Sequence, residues 1–305
     1  PPVFLIASAR SVSIAIESIQ PTPLVRITAS AELPSGVASA AIRSFSMTWR
    51  GYRRDGTMTS MHVPPLRETL RIARTYAKPL VFGHRGFAAR ELENSIPAFT
   101  LARTLNVPAV ELDVQLSLDR RLIVYHDRDL VRLASMNVEA TSLPVSELRT
   151  VSLYDRMNGY STAGIPTLDD VIDVLGSDTY IDIEIKSYPT TPHDVSRSVA
   201  DCIARRGIAD RVIVSSFDPR LLRRFTIEVK RREAAVRSVL TAAIYARRRE
   251  VPLVLRSGAG VFIAGTQVKK PCWNDVIGRR RLDRNTVVWT VNDSAIGRRL
   301  RSSGS

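Results

Sequence analysis

The sequence predicts an α/β fold in which a parallel sheet or barrel is wrapped by helices, and three observations carry that reading. From residue 80 onward, short apolar runs alternate with helical patterns. Charged and imidazole side chains gather where those runs end, as they do at the mouth of a barrel enzyme. The chain has 305 residues, 44% of them apolar, which suits one large domain or a medium domain with an extension. That composition excludes a wholly disordered chain and a collagen-like one. Every stretch free of charge falls well short of the roughly 20 apolar residues that a spanning helix needs. Two cysteines, Cys202 and Cys272, exclude a disulfide framework and a cysteine-rich zinc site, and they identify no compartment. A chain that starts at Pro1, with no signal-peptide pattern, reads as processed, trimmed or a fragment.

Residues 1–78 read as an N-terminal extension. Its first 60 residues are rich in Ser, Ala and Thr, with β-leaning pieces such as Val12–Ile16 interrupted by Pro21, Pro23, Pro34 and Gly36. Pro64-Pro65 then opens an amphipathic helix carrying Leu66, Leu70 and Ala73 on one face, and Pro79 stops it. Residues 79–305 read as the barrel unit. Strands are expected at Leu80–Gly83, Ala109–Leu116, Leu122–His126, Tyr180–Lys186, Arg211–Phe217, Gly260–Thr266 and Thr286–Asn292. Helices are expected at about 95–105, 167–175, 194–206, 219–233 and 272–282. Residues 127–165 are too long for a plain connection and read as a small lobe over the barrel mouth.

The formal charge of +14 is unevenly spread: residues 1–78 carry +6, residues 79–218 carry −6 and residues 219–305 carry +14. An acidic middle argues against nucleic acid bound at the core site. An acidic pocket that handles an anionic substrate usually needs a bound cation. The positive flanks suit phosphates or an anionic membrane surface. The runs Arg247–Arg249 and Arg279–Arg281 read as solvated helix-face charge, and His62 and His193 as surface residues.

The polar residues at the strand ends form a set. His84-Arg85-Gly86 follows the first strand of the unit, Glu111 and Asp113 lie in the second, His126-Asp127 ends the third, and Glu184 and Lys186 lie in the fourth. Residues two apart in a strand share a face, so Glu111 points with Asp113, and Glu184 with Lys186. The segment 118–121 is too short for a parallel crossover, so the second and third strands should form a hairpin. Centred on Asp119-Arg120, that hairpin sets Asp113 opposite His126.

These stretches resemble the glycerophosphodiester phosphodiesterase family. The matching pieces are His84–Gly86, Glu93-Asn94 with Ala98-Phe99, Glu111–Gln115, Val124–Asp127, Ile165–Leu168, Ile183–Lys186, Ser215–Asp218 and Trp289–Asn292, in family order. The run from His126 to Ala134 is similar to the branch whose members often carry an N-terminal membrane domain. The resemblance implies a TIM-type barrel and a divalent cation held by Glu111, Asp113 and Glu184. It makes His84 and His126 an acid/base pair, with Arg85 and Lys186 on the substrate phosphate. Carboxylate ligands without cysteine suit a hard cation, Ca²⁺ or Mg²⁺. Both imidazoles titrate near neutrality, so one can accept a proton while the other donates one. Glu184 and Lys186 also suit a simple ion pair. Asn94 supports the site or caps the following helix, and Trp289 lines the pocket or belongs to the core.

The implied reaction is hydrolysis of a glycerophosphodiester, a small molecule, to glycerol 3-phosphate and an alcohol. Two alternatives stand beside it: a head-group phosphodiesterase that forms a cyclic phosphate, and a catalytically impaired module that binds anionic lipid or phosphate. The chain departs from the family after Trp289–Asn292, where the strand that closes the barrel is missing from the C-terminal residues, and residues 219–285 match only loosely.

Overall fold

Strand residues alternate between two buried faces, and that alternation builds the protein in layers. The computed structural model describes residues 80–302 except 250, 280, 281, 283 and 284, together with residues 4–7, 25–27, 45–47, 65 and 66. In chain order the strands are β1 (Phe4–Ala7), β2 (Val25–Ile27), β3 (Phe45–Met47), β4 (Val81–Gly83), β5 (Ala109–Leu116) and β6 (Leu122–Val124). They continue with β7 (Asp129–Leu130), β8 (Met136–Glu139), β9 (Ser152–Asp155), β10 (Tyr160–Ala163), β11 (Tyr180–Ile185), β12 (Val212–Ser216), β13 (Leu240–Tyr245), β14 (Val268–Pro271) and β15 (Val287–Val288). The ring runs β4, β5, β11, β12, β13, β14, β15, β1 and back to β4, with every neighbour parallel. This is a TIM-type barrel.

Outward-facing Val110, Leu112, Val114, Ile181, Ile183, Val212 and Val214 pack against the helices Ile96–Thr104, Leu168–Leu175, Val195–Arg206, Pro219–Lys230 and Ala259–Ala264. Those helices start where the chain can cap them. Ser95 Oγ accepts from Ala98 N at 3.2 Å, and Thr167 forms a reciprocal capping box with Asp170. Inward-facing Leu80, Phe82, Ala109, Tyr180, Ile213, Leu240, Ala242, Val268 and Val287 fill the barrel floor, with Leu66 beneath. The rest of the expected helix after Pro64-Pro65, the piece Val12–Ile16 and His62 lie outside the described residues.

After β15 the described chain enters the helix Ser294–Ser302, and no further strand follows. The place of a C-terminal closing strand is taken by β1, whose Leu5 pairs with Val81 on one side and Val288 on the other. A ring closed in this way leaves no unpaired edge there.

Several expectations are corrected. Gly260–Thr266 is not a strand; Ala259–Ala264 is a helix bracketed by left-handed Gly258 and Gly265. Its Val261 and Ala264 are buried while Phe262 and Ile263 are exposed, a helical period that a short apolar run conceals. The strands on either side, β13 and β14, escaped notice. The first is a short run of small residues, and the second carries Lys269 and Lys270. Among the described residues of 272–282 a single 3₁₀ turn, Trp273–Asp275, stands in place of the expected helix, because Cys272 bridges Trp289 at the barrel seam. Arg247–Arg249 lie in the turn after β13, at the mouth, not on a helix. Arg279 follows a turn, and Arg280 and Arg281 lie outside the described residues.

The hairpin exists, but its register differs by one residue. β5 and β6 are antiparallel with Val114 opposite Val124 and Leu116 opposite Leu122, so Asp113 faces Tyr125 rather than His126. The turn holds three residues between Ser117 and Arg121, the last of them Arg120 in the left-handed region (φ 64°). A two-residue centre was the wrong turn type. Beyond β6 the chain enters the small lobe, where β7 pairs β8 and β9 pairs β10 over a core of Leu92, Leu130, Leu133 and Leu148. Its Tyr160 hydroxyl reaches the Ala89 carbonyl at 3.1 Å, tying the lobe to the loop that follows β4.

Candidate active site

That loop is shaped by glycine. A Cβ on Gly83 would lie 2.5 Å from the Gly86 carbonyl oxygen, and Gly86 itself has φ 82° and rests on Ala98. Between them Arg85 is held at φ 53°, an uncommon conformation for a non-glycine residue. Two backbone groups hold it there: Arg85 N donates to Glu111 Oε2 at 3.1 Å, and Asn94 N donates to the Arg85 carbonyl at 3.0 Å. The turn presents the His84 and Arg85 side chains to the end of β5. His84 Nε2 lies 3.8 Å from Glu111 Oε2, and Arg85 Nε lies 3.3 Å from Asp113 Oδ2.

The three carboxylates converge. β11 pairs with β5 so that Glu184 stands beside Asp113, and Glu111 is two residues earlier on the same inward face. One oxygen from each of Glu111, Asp113 and Glu184 lies within 4.8 Å of the others, and all three residues are buried. Such an all-oxygen set could hold a hard divalent cation. Lys186 Nζ donates to Glu184 Oε1 at 2.8 Å and lies 3.3 Å from Asp113 Oδ1. The Glu184–Lys186 ion pair is therefore real, and it forms part of the cluster.

Electrostatics separates the carboxyls. Burial, and next the Asp113 charge, push Glu111 well above the usual carboxylate range. Burial alone would raise Asp113 too, but Lys186, Arg85 and the Asn94 hydrogen bond override it and hold that group strongly acidic. Burial, and then the Arg85 guanidinium, push the His84 imidazole well below its ordinary value. Asn94 Nδ2 donates to Asp113 Oδ2 at 2.8 Å, while Ser95 caps the helix, so Asn94 is the polar support and not the cap.

His126 comes to the same end of the barrel by a different route. Tyr125 N donates to the Asp113 carbonyl at 3.0 Å, so Tyr125 is the cross-strand partner of Asp113 and His126 is the next residue along. Gln115 Nε2 donates to the carbonyls of Tyr125 at 2.9 Å and Asp127 at 2.7 Å, fixing the backbone as it leaves β6, and the Tyr188 hydroxyl donates to the His126 carbonyl. Asp127 Oδ1 lies 2.6 Å from His126 Nδ1, and Arg132 Nε donates to Asp127 Oδ2 at 2.6 Å. Glu93 joins Arg132 to Arg85, whose Nη1 donates to Glu93 Oε1 at 2.8 Å. Asp127 and Arg132 went unassigned in the sequence; the adjacency of His126 and Asp127 was the available signal for the first.

Burial would raise Asp127, but His126 and Arg132 outweigh it and bring its carboxyl from 3.8 down to about 2. A depressed folded-state pKa contributes stability above the unfolded value and loses it as pH falls through the folded one. Wild type should therefore exceed Asp127→Asn in stability above pH 4, and the two should converge near pH 2. Parallel acid-unfolding curves followed by circular dichroism check this.

Trp289 is half-buried. Its Nε1 donates to the Lys270 carbonyl at 2.9 Å, its ring meets Phe217 edge-on at 5.5 Å, and the Arg248 guanidinium lies 5.5 Å above it. It thus packs against two apolar clusters of the barrel. His193 is exposed, as expected of a surface residue.

The glycerophosphoryl diester phosphodiesterase family profile matches residues 84–305, most of the chain. The chain belongs to that family. A curated glycerophosphodiester phosphodiesterase of Caldanaerobacter subterraneus subsp. tengcongensis is 34% identical over 149 residues, covering 48% of this chain and 61% of that protein. The chain spans about three-fifths of the length of the curated phosphodiesterase relatives it matches. Among solved structures, the glycerophosphodiester phosphodiesterase of Thermotoga maritima is 27% identical with a TM-score of 0.52, over 74% of this chain and 91% of that one. An Oleispira antarctica phosphodiesterase, solved with the product sn-glycerol-3-phosphate, shares the fold at 19% identity and a TM-score of 0.58, over 74% of this chain and 90% of that one. No helix among the described residues is long and apolar enough to cross a membrane.

Proposed function

We propose that this glycerophosphoryl diester phosphodiesterase family member hydrolyses glycerophosphodiesters to glycerol 3-phosphate and an alcohol. The observation that carries the reading is the convergence of three buried carboxylates with His84, Arg85 and Lys186 at one end of the barrel. Glu111, Asp113 and Glu184 would hold a divalent cation, Ca²⁺ or Mg²⁺, and their hard oxygen donors fit either. When bound, such a cation supplies positive charge against the negative charge that grows on the phosphoryl oxygens.

The remaining work falls to side chains. Arg85 and Lys186 place fixed cations beside the phosphate, and arginine can grip two of its oxygens at once. His84, kept neutral by burial and by Arg85, takes the proton from the attacking water as the new P–O bond forms. His126, whose Nδ1 faces the Asp127 carboxylate, gives a proton to the alkoxide as the old P–O bond breaks. Each histidine returns to its starting state by one proton exchange with solvent. The 129–163 lobe, tied to the His84 loop, and the barrel strands, β1 included, make up the unit that holds the chemistry.

The test is release of glycerol 3-phosphate from glycerophosphocholine, with and without chelator. Release that stops with chelator and returns with Mg²⁺ or Ca²⁺ is expected. Release that ignores chelator would remove the cation from the reading, and a cyclic glycerol phosphate as the product would replace water as the nucleophile with a substrate hydroxyl.

A further inference from the structure

Beneath the carboxylate cluster lies a second set of buried charges with no part in the reaction just described. Lys270, on β14, is only 1% exposed. Its Nζ lies 3.0 Å from Asp182 Oδ2 and donates to Ser215 Oγ at 3.0 Å, while Ser215 donates to Asp182 Oδ1 at 2.6 Å. Asp182 is fully buried, stands beside Glu111 across the β5–β11 register, and shares the inward face of β11 with Glu184. The Lys270 ammonium acts electrostatically on Glu111 and Glu184 as well as on Asp182. A lysine is almost never fully buried unless it is paired, and replacing a buried ion pair with apolar residues is often neutral or stabilising. Stability alone is therefore a poor reason for this pair to sit under the site.

We propose that Lys270 and Asp182 are positioning residues that set the charge of the cation site from below. Asp182 is the β11 neighbour of Glu111 in the parallel register, so the Lys270 ammonium and the Asp182 carboxylate stand directly below the proposed cation ligands. A buried positive charge there opposes a bound cation and favours an anionic phosphodiester, and a buried negative charge has the opposite effect. Lys270 thus weakens the hold on the cation and strengthens the hold on the anion, and Asp182 does the reverse. This inference rests on the cation assignment made above.

The test compares wild type, Asp182→Asn and Asp182→Asn/Lys270→Met by calorimetric titration with Mg²⁺, then titrates inorganic phosphate into the loaded proteins. Removing one buried negative charge should weaken Mg²⁺ binding on the order of tenfold and tighten phosphate binding. Removing Lys270 as well should bring both affinities back toward wild type. A double variant that binds Mg²⁺ more weakly than the single one would overturn the proposal. If the double variant does not fold, the single one still decides. A merely structural defect weakens Mg²⁺ and phosphate together, whereas the charge account moves them in opposite directions. Wild-type protein that takes up no divalent cation would refute the cation assignment itself; a wild type that binds while the variants stay unchanged would refute this inference alone.

Discussion

His84→Ala and His126→Ala should each lose about 10²–10⁴-fold in turnover, the usual worth of a general acid or base. Both should keep the fold, because neither imidazole belongs to an apolar cluster. The losses should not multiply in the double variant, since the two groups serve one reaction and each is of little use alone. Cation affinity should change little, because the proposed ligands are carboxylates. Steady-state turnover of the three variants, with a Mg²⁺ titration beside each, reads all of this. Near-normal turnover in either single variant would end the acid/base assignment, and a collapse of cation binding would move that histidine into the coordination sphere.

Asp113→Ala should be the most damaging change to both binding and fold. The side chain is 2% exposed and serves Arg85, Lys186 and Asn94 at once. Its removal takes away a cation ligand and leaves two buried positive charges short of a partner, which typically costs about 3–5 kcal/mol. Asp113→Asn keeps the volume and loses the charge, so it should unfold at an intermediate urea concentration while binding Mg²⁺ as poorly as the alanine variant. Equilibrium urea unfolding and calorimetry on both variants check this. Wild-type stability in Asp113→Ala would contradict the charge argument, and undiminished Mg²⁺ binding in Asp113→Asn would contradict the ligand assignment.

What was legible in the sequence followed from periodicity and from residue type. β5 and β11 stood out because apolar residues alternate with carboxylates, and a barrel interior turns that alternation into a shared inward face. β13 went unassigned and the helix Ala259–Ala264 was read as a strand, because both are short and apolar, and only the left-handed glycines at 258 and 265 distinguish them. Lys270 was invisible because a lysine in Val268–Pro271 reads as surface charge until Asp182 and Ser215, from two other strands, surround it. Asp182 could have been found, since it precedes Glu184 by two residues on the same strand. The placement of His126 depended on a turn one residue longer than expected, and the site tolerated that error because the chain leaves β6 before reaching the histidine.

The seating of β1 between β4 and β15 has a consequence for how the molecule is made. Leu5 meets Val288 across nearly the whole length of the chain. A ribosome releases the first partner long before the second exists, so the ring cannot be completed until β15 has been made. Non-local pairings of this kind are the slow ones, because the loop must be closed before any contact rewards it. Until then the nascent barrel is an open, curled sheet with β1 at one bare edge, the interval in which strand edges are most prone to stick to one another.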